Sequence, residues 1–215
     1  MYLLLSIVML LFLTSGNPAP AAESVEIMYE VRMENPLSHL FQIQMRFSTP
    51  DPDGAKLAMP AWTPGYYDIT NPARNLQEME AEDGSGQKLK IEKLDKLTWR
   101  ILKVGNSDLI VRYKVYANRL TVDGAQLNDS HGYFNGAFLF PCLVGHRNDP
   151  CRLKVVAPKG WSVATALKPA GEPGQFAASN YDELVDSPVE AGQFRELEFS
   201  VKGIPCRAVV HGQSH

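Results

Sequence analysis

An all-β fold is what this sequence predicts: an antiparallel β-sandwich of roughly ten strands with one short helical turn. Three observations carry that expectation. Apolar and polar residues alternate strictly in several runs, for example Val25, Ile27, Tyr29, Val31 and Met33, or Leu109, Val111, Tyr113 and Val115. Period two gives a half-buried strand one apolar face. Clusters of Pro, Gly, Asn and Asp punctuate those runs at the spacing of a sandwich or barrel. Only Ser179-Asn180-Tyr181-Asp182-Glu183-Leu184 reads as a helix start, with an Asn or Ser cap and acids in the first turn.

The 215 residues suit one domain, and a composition of 45% hydrophobic and 21% charged residues is ordinarily globular. A net charge of −3 gives no footprint for nucleic acid or an anionic membrane surface. Leu3 to Leu13 is apolar except for Ser6, too short to span a bilayer but suited to a signal-peptide core. Ala19-Pro20-Ala21 then supplies a small-x-small cleavage pattern, although Met1-Tyr2 lacks the usual basic residue. The expectation is a signal peptide over residues 1–22, a mature domain over 23–215, and a secreted or periplasmic location with no membrane association after cleavage.

In chain order, the Val25–Met33 strand turns at Asn35-Pro36 into a second alternating run, with Phe41, Ile43, Met45 and Phe47 inward. Thr49 to Gly54 is a turn cluster. The segment Met59 to Tyr67 holds Pro60, Pro64 and Gly65, which rule out a helix or central strand, so its aromatics sit on an extended loop. The first expectation for this loop is a Trp62 plug at one end of the sandwich; the second is a groove wall. Leu76–Asp83 and Lys88–Asp95 flank Gly84-Ser85-Gly86 as a hairpin. Strands follow around Trp99, over Asp108–Ala117, over Cys151–Ala157 and over Phe194–Lys202, and Ala208-Val209-Val210 begins one more.

Asn128 to Phe140 places a sequon, an acid, a histidine and two glycines ahead of an apolar run. It reads as a half-buried strand fed from a polar rim. Asp129-Ser130-His131 names triad residue types, but neighbours on a strand point to opposite faces. A structural Asp129–His131 hydrogen bond is the expectation. The sequon Asn128-Asp129-Ser130 is usable only in a eukaryotic secretory pathway. Cys142 and Cys151 stand nine apart around a turn-forming insert, as a disulfide across a hairpin or as two small buried hydrophobes; Cys206 is left over. Of five histidines, His211 and His215 have i, i+4 spacing, but Gly212 weakens a helix and the glutamate of His-Glu-x-x-His is missing. No catalytic, cofactor or metal residue is assigned.

Trp62-Thr63-Pro64-Gly65-Tyr66, Ala73-Arg74-Asn75 and Asp129 through Ala137 closely resemble the N-terminal domain of the glycyl aminopeptidase family of zinc metallopeptidases. Gly160-Trp161, Val163 to Leu167, Tyr181 to Glu190 and Gly203-Ile204-Pro205 extend the resemblance in family order, from about Val25 to Gly212. It implies a β-rich domain preceding a thermolysin-like catalytic domain, often followed by a PDZ domain. In that family the zinc ligands lie on a His-Glu-x-x-His helix and a downstream glutamate, beyond the region matched here. Cys206 departs from a position where the family tends to have histidine. The chain is thus expected to lack the catalytic domain and to hold no cofactor, with zinc only in that missing domain.

Two functions follow as expectations. One is a non-catalytic β domain of a secreted zinc aminopeptidase, partnered by a catalytic domain in cis or as a split product. The other is a free-standing secreted module that binds a peptide or protein. In either case the candidate interface residues, also candidates to meet peptide substrate, are Trp62, Pro64, Gly65, Tyr66, Arg74, Asp129, Ser130, His131, Tyr133, Asn135 and Gly136. The first reading predicts an exposed apolar face near the aromatic loop or the C-terminal strand.

Overall fold

The computed structural model describes residues 25–48, 51, 53–63, 66–102 and 108–212. The expected signal peptide, Pro64, Gly65 and His215 lie outside the described residues. An eight-stranded sheet forms the largest layer. Its strands run in the order Lys168–Pro169, Gln175–Ala178, Cys151–Val156, Ile27–Arg32, Leu40–Ser48, Asp108–Tyr116, Leu76–Asp83 and Lys88–Leu89. Ile27–Arg32 runs parallel to Cys151–Val156, while the sheet's other pairings are antiparallel. The all-β expectation holds, in a sheet that is mixed rather than purely antiparallel.

The alternation read from the sequence sets the faces of this sheet. Tyr29 pairs with Met45, Ile43 with Tyr113, Phe41 with Val115 and Phe47 with Leu109, all on the buried side. The opposite side carries ion pairs, including Arg112–Glu82 at 2.8 Å, Lys114–Glu78 at 2.6 Å and Lys154–Glu30 at 3.0 Å. A five-stranded sheet is ordered Ser162–Thr165, Val189–Gly192, His131–Phe134, Ala125–Leu127 and Asn118–Arg119. A four-stranded sheet is ordered Cys142–Leu143, Ala55–Ala58, Thr98–Ile101 and Ile91–Lys93. Phe194–Val201 and Ile204–His211 form a separate hairpin. The described residues hold nineteen strands, because many two- to four-residue pairings are too short to show a period in the sequence.

Between the layers lies a helical turn, Gly136–Leu139, where the sequence reading expects strand. Asn135 caps it, its Oδ1 accepting from the Ala137 amide at 2.9 Å. A single turn leaves its last carbonyls without helical partners. Three buried phenols fill that need. Tyr113 donates to the Leu139 carbonyl at 3.0 Å, Tyr181 to Phe140 at 2.6 Å and Tyr29 to Pro141 at 2.8 Å. Tyr181 opens the second helix, Tyr181–Val185, whose Asn180 cap accepts from the Glu183 amide at 2.9 Å, as the sequence predicts. No helix among the described residues is long and apolar enough to cross a membrane.

Two predictions follow from this node. Tyr113→Phe strands the Leu139 carbonyl in the core and costs about 1–3 kcal/mol; an unchanged urea midpoint would rule the node out as a stabilising element. Burial pushes the Tyr29, Tyr113 and Tyr181 phenols well above their ordinary value. As pH rises the unfolded chain therefore loses these protons first. The phenols' contribution to stability is full below about pH 10 and is lost above it, by about 1.4 kcal/mol per pH unit for each phenol. Denaturant midpoints measured from about pH 8 to about pH 11 test this, and a flat profile contradicts it.

Candidate functional site

The rim at residues 128–136 is built by local hydrogen bonding. Asn128 Oδ1 accepts from the Ser130 amide at 2.9 Å, the Ser130 hydroxyl at 2.7 Å and the His131 amide at 3.0 Å. This Asx turn delivers the chain into the strand His131–Phe134. Asp129 and Ser130 are exposed at its tip, and His131 is 4% exposed. The expected Asp129–His131 bond is not formed. The acid at His131 is Glu190, whose Oε1 lies 2.8 Å from His131 Nδ1, while Gln126 Oε1 lies 2.9 Å from His131 Nε2. Antiparallel registers explain the meeting: Tyr133 pairs with Glu190 on one side and with Gln126 on the other, and His131 lies two residues from Tyr133 on the same face.

His211 completes the cluster. Its ring stacks on that of His131 with centroids 4.3 Å apart and planes 6° apart. Its Nε2 lies 3.4 Å from Ser130 Oγ, and its Nδ1 is sealed from solvent without a hydrogen-bond partner. Sequence reasoning missed Gln126, Glu190 and His211. His211 drew attention only for its spacing to His215; its place on a strand facing the body was the signal that counted.

The terminal hairpin has two unlike faces. Its two-residue turn, Lys202-Gly203, has φ values of 52° and 81°, as a tight hairpin of this kind requires. Pro205, Arg207, Val209 and His211 look onto a groove of about 640 Å³ whose far wall includes Tyr133 and Glu190. Leu197, Phe199, Val201 and Ile204 lie on the opposite face, each at least 50% exposed. Among the described residues Ile204–His211 pairs only with Phe194–Val201. The exposed apolar face expected at the C-terminal strand is present.

The aromatic loop departs from its first expectation. Thr63 bridges to Tyr66, but Trp62 is 52% exposed, Tyr67 96% and Ile69 77%, so Trp62 does not plug the sandwich. Arg74 is exposed on a 3-10 turn beside the loop. Other candidate interface residues are framework. Asn135 is buried, its Nδ2 donating to the Val122 carbonyl at 3.3 Å, and Tyr133 is half-buried. Gly136 is buried against the second helix: a Cβ there would sit 2.8 Å from Val185 Cα.

Cys142 and Cys151 do not face each other across a hairpin. Cys142–Leu143 pairs with Ala55–Ala58, and Cys151–Val156 lies between Ile27–Arg32 and Gln175–Ala178. Both are free thiols; burial pushes Cys142 up to about 11 and Cys151 to about 12. The insert between them is tied by His146 Nδ1, which lies 2.7 Å from Asp149 Oδ2.

The layered mixed sheet, the capped helical turn and the outlying hairpin together make a β-rich domain. Residues 28–193 match the model of the Peptidase M61 N-terminal domain, and the chain belongs to that family. Among solved structures it is similar to an aminopeptidase N family protein from Idiomarina loihiensis, with 29% identity and a TM-score of 0.82. That match covers 87% of this chain and 32% of the other, so the chain spans about a third of its length. A variant M1 zinc metallopeptidase from Deinococcus radiodurans, bound to a Tyr-Ser-Ala substrate, shares the fold at 12% identity and a TM-score of 0.50. That match covers 83% of this chain and 44% of the other. No curated protein sequence matches the chain. The 215 residues contain no His-Glu-x-x-His, so they do not fit a peptidase zinc of that kind.

Gly136 supplies a prediction. Val185 Cα is backbone and cannot yield to a Cβ at 2.8 Å. Gly136→Ala is expected to cost about 1–3 kcal/mol by overpacking. The melting temperature should fall by roughly 2–4 °C per kcal/mol, and no fall would show that the two helices separate freely.

Proposed function

We propose that this chain is the N-terminal β domain of a secreted or periplasmic zinc aminopeptidase of the glycyl aminopeptidase kind. Its task is to seat a catalytic domain rather than to perform hydrolysis. The observation that carries this reading is the outward apolar face of the terminal hairpin, Leu197, Phe199, Val201 and Ile204. An exposed two-stranded ribbon gains nothing from such side chains in water, and a contiguous apolar face is what a packing partner covers. Family membership and the likeness to a much longer aminopeptidase N family protein support a catalytic domain as that partner. The exposed aromatics Trp62 and Tyr67 support a second role, walling the cleft between the two domains.

The test has two parts. DNA beyond the His215 codon should encode His-Glu-x-x-His and a downstream glutamate, and that region, coexpressed with this chain, should co-purify with it and hydrolyse aminoacyl substrates. Phe199→Asp should abolish co-purification while changing the stability of the isolated chain by no more than about 0.5 kcal/mol, as expected at an exposed site. Hydrolysis by this chain alone, or co-purification that survives Phe199→Asp together with Ile204→Asp, would sink the reading.

A further inference from the structure

We propose that His131, Glu190 and His211 form a binding site for a divalent cation of the zinc type, which fastens the terminal hairpin to the five-stranded sheet. These residues come from three strands far apart in sequence, yet one ligand atom from each lies within 4.8 Å of the others. His131 is held from both sides: Nε2 lies 2.9 Å from the Gln126 side-chain amide and Nδ1 lies 2.8 Å from Glu190 Oε1, so either a proton or a metal ion joins Nδ1 to the carboxylate.

His211 separates those two cases. A shared proton satisfies His131 and Glu190 and leaves His211 Nδ1 as it stands, buried and unpartnered. A metal ion takes up all three groups. Each histidine also has its far nitrogen against a protein oxygen: His131 Nε2 at Gln126 and His211 Nε2 at Ser130, 3.4 Å away. Metal-binding histidines are oriented in this way, one nitrogen on the ion and the other held by an outer partner. The donor set, two imidazoles and one carboxylate with room for water, suits zinc, cobalt or nickel; calcium and magnesium prefer all-oxygen sites.

The stack of the two rings sets a condition. An ion lies in the plane of each imidazole it binds, and planes only 6° apart and 4.3 Å separated share no such point. Binding therefore requires the His211 ring to turn out of the stack about its Cβ–Cγ bond. His211 ends a half-buried strand at the edge of the hairpin, outside the main hydrophobic core. Because only the docked hairpin presents all three ligands, metal binding stabilises docking, and with it the position of the outward apolar face.

The experiment uses the full chain, stripped with a chelator and titrated with Zn2+ by calorimetry and with Co2+ by visible absorption. The expected result is one equivalent of metal per chain, a cobalt spectrum of low coordination number and a zinc-dependent rise in melting temperature. Glu190→Gln and His211→Ala should each abolish all three effects, and Gln126→Ala should weaken affinity about tenfold to a hundredfold. His131 is buried and its replacement risks misfolding; His211 is half-buried on the terminal hairpin, so His211→Ala keeps the test sound. His215→Ala should leave binding intact. Absence of zinc uptake would establish a proton-bridged His131–Glu190 pair and overturn the proposal. So would uptake that survives Glu190→Gln or disappears in His215→Ala, which would mark chelation by the tail.

Discussion

Three consecutive carbonyls, those of Leu139, Phe140 and Pro141, each accept a hydrogen bond from a different buried tyrosine. The rest of the packing depends on this arrangement. A one-turn helix inside a β-sandwich leaves backbone acceptors where water cannot reach them, and each unpaired one costs about 1–3 kcal/mol. Three such losses would rival the roughly 5–15 kcal/mol of net stability a domain retains. The phenols come from two strands of the large sheet and from the second helix, so one node fixes the sheet, the helical turn and the 181–185 segment together. Aromatic contacts reinforce it: Phe140 lies 4.8 Å from Tyr29 and 5.8 Å from Phe134, centroid to centroid.

The node also explains why the Asn128–Phe140 stretch divides as it does. Its first half is strand, because Gly132 lets Met33 approach to 2.9 Å of where a Cβ would stand, and because Phe134 faces the core. Its second half turns helical because Asn135 supplies a cap and Gly136 permits contact with Val185. Period counting cannot see this. Gly136-Ala137-Phe138-Leu139-Phe140 is a short apolar run, which reads equally well as buried strand or buried helix. The decisive groups, Tyr29, Tyr113 and Tyr181, lie far away in the chain.

The same limit separates what was legible in the candidate site from what was not. The long strands were legible because alternation is local: Tyr29, Ile43 and Val111 lie on the face that the period assigns to them. The short α-helix at 181–185 was legible because its cap and acids are adjacent in sequence. His131 was legible as a polar residue beside an apolar run, but its partner was misassigned to Asp129. Register across two strand pairs, not proximity in sequence, decides that Glu190 and Gln126 meet it. Trp62 failed for a different reason: an aromatic on a proline-bounded loop is compatible with burial or exposure, and the sequence holds no term that chooses between them.

The hairpin at the C-terminal end inverts the usual assignment of faces, and the inversion ties the cluster to the fold. A ribbon packed on its own domain places its apolar side inward and its charges toward solvent. Here Arg207 and His211 look inward onto the groove beside Pro205 and Val209, while Leu197, Phe199 and Val201 look outward. These three outward side chains therefore add nothing to holding the hairpin against the five-stranded sheet. The directional contacts that orient it there are the His131–His211 stack and the Ser130–His211 approach. Such contacts fix an orientation without spending apolar surface, so the ribbon presents its greasy side in a defined direction. A face offered to another domain needs both properties at once: an outward apolar surface, and an anchor that does not compete for it.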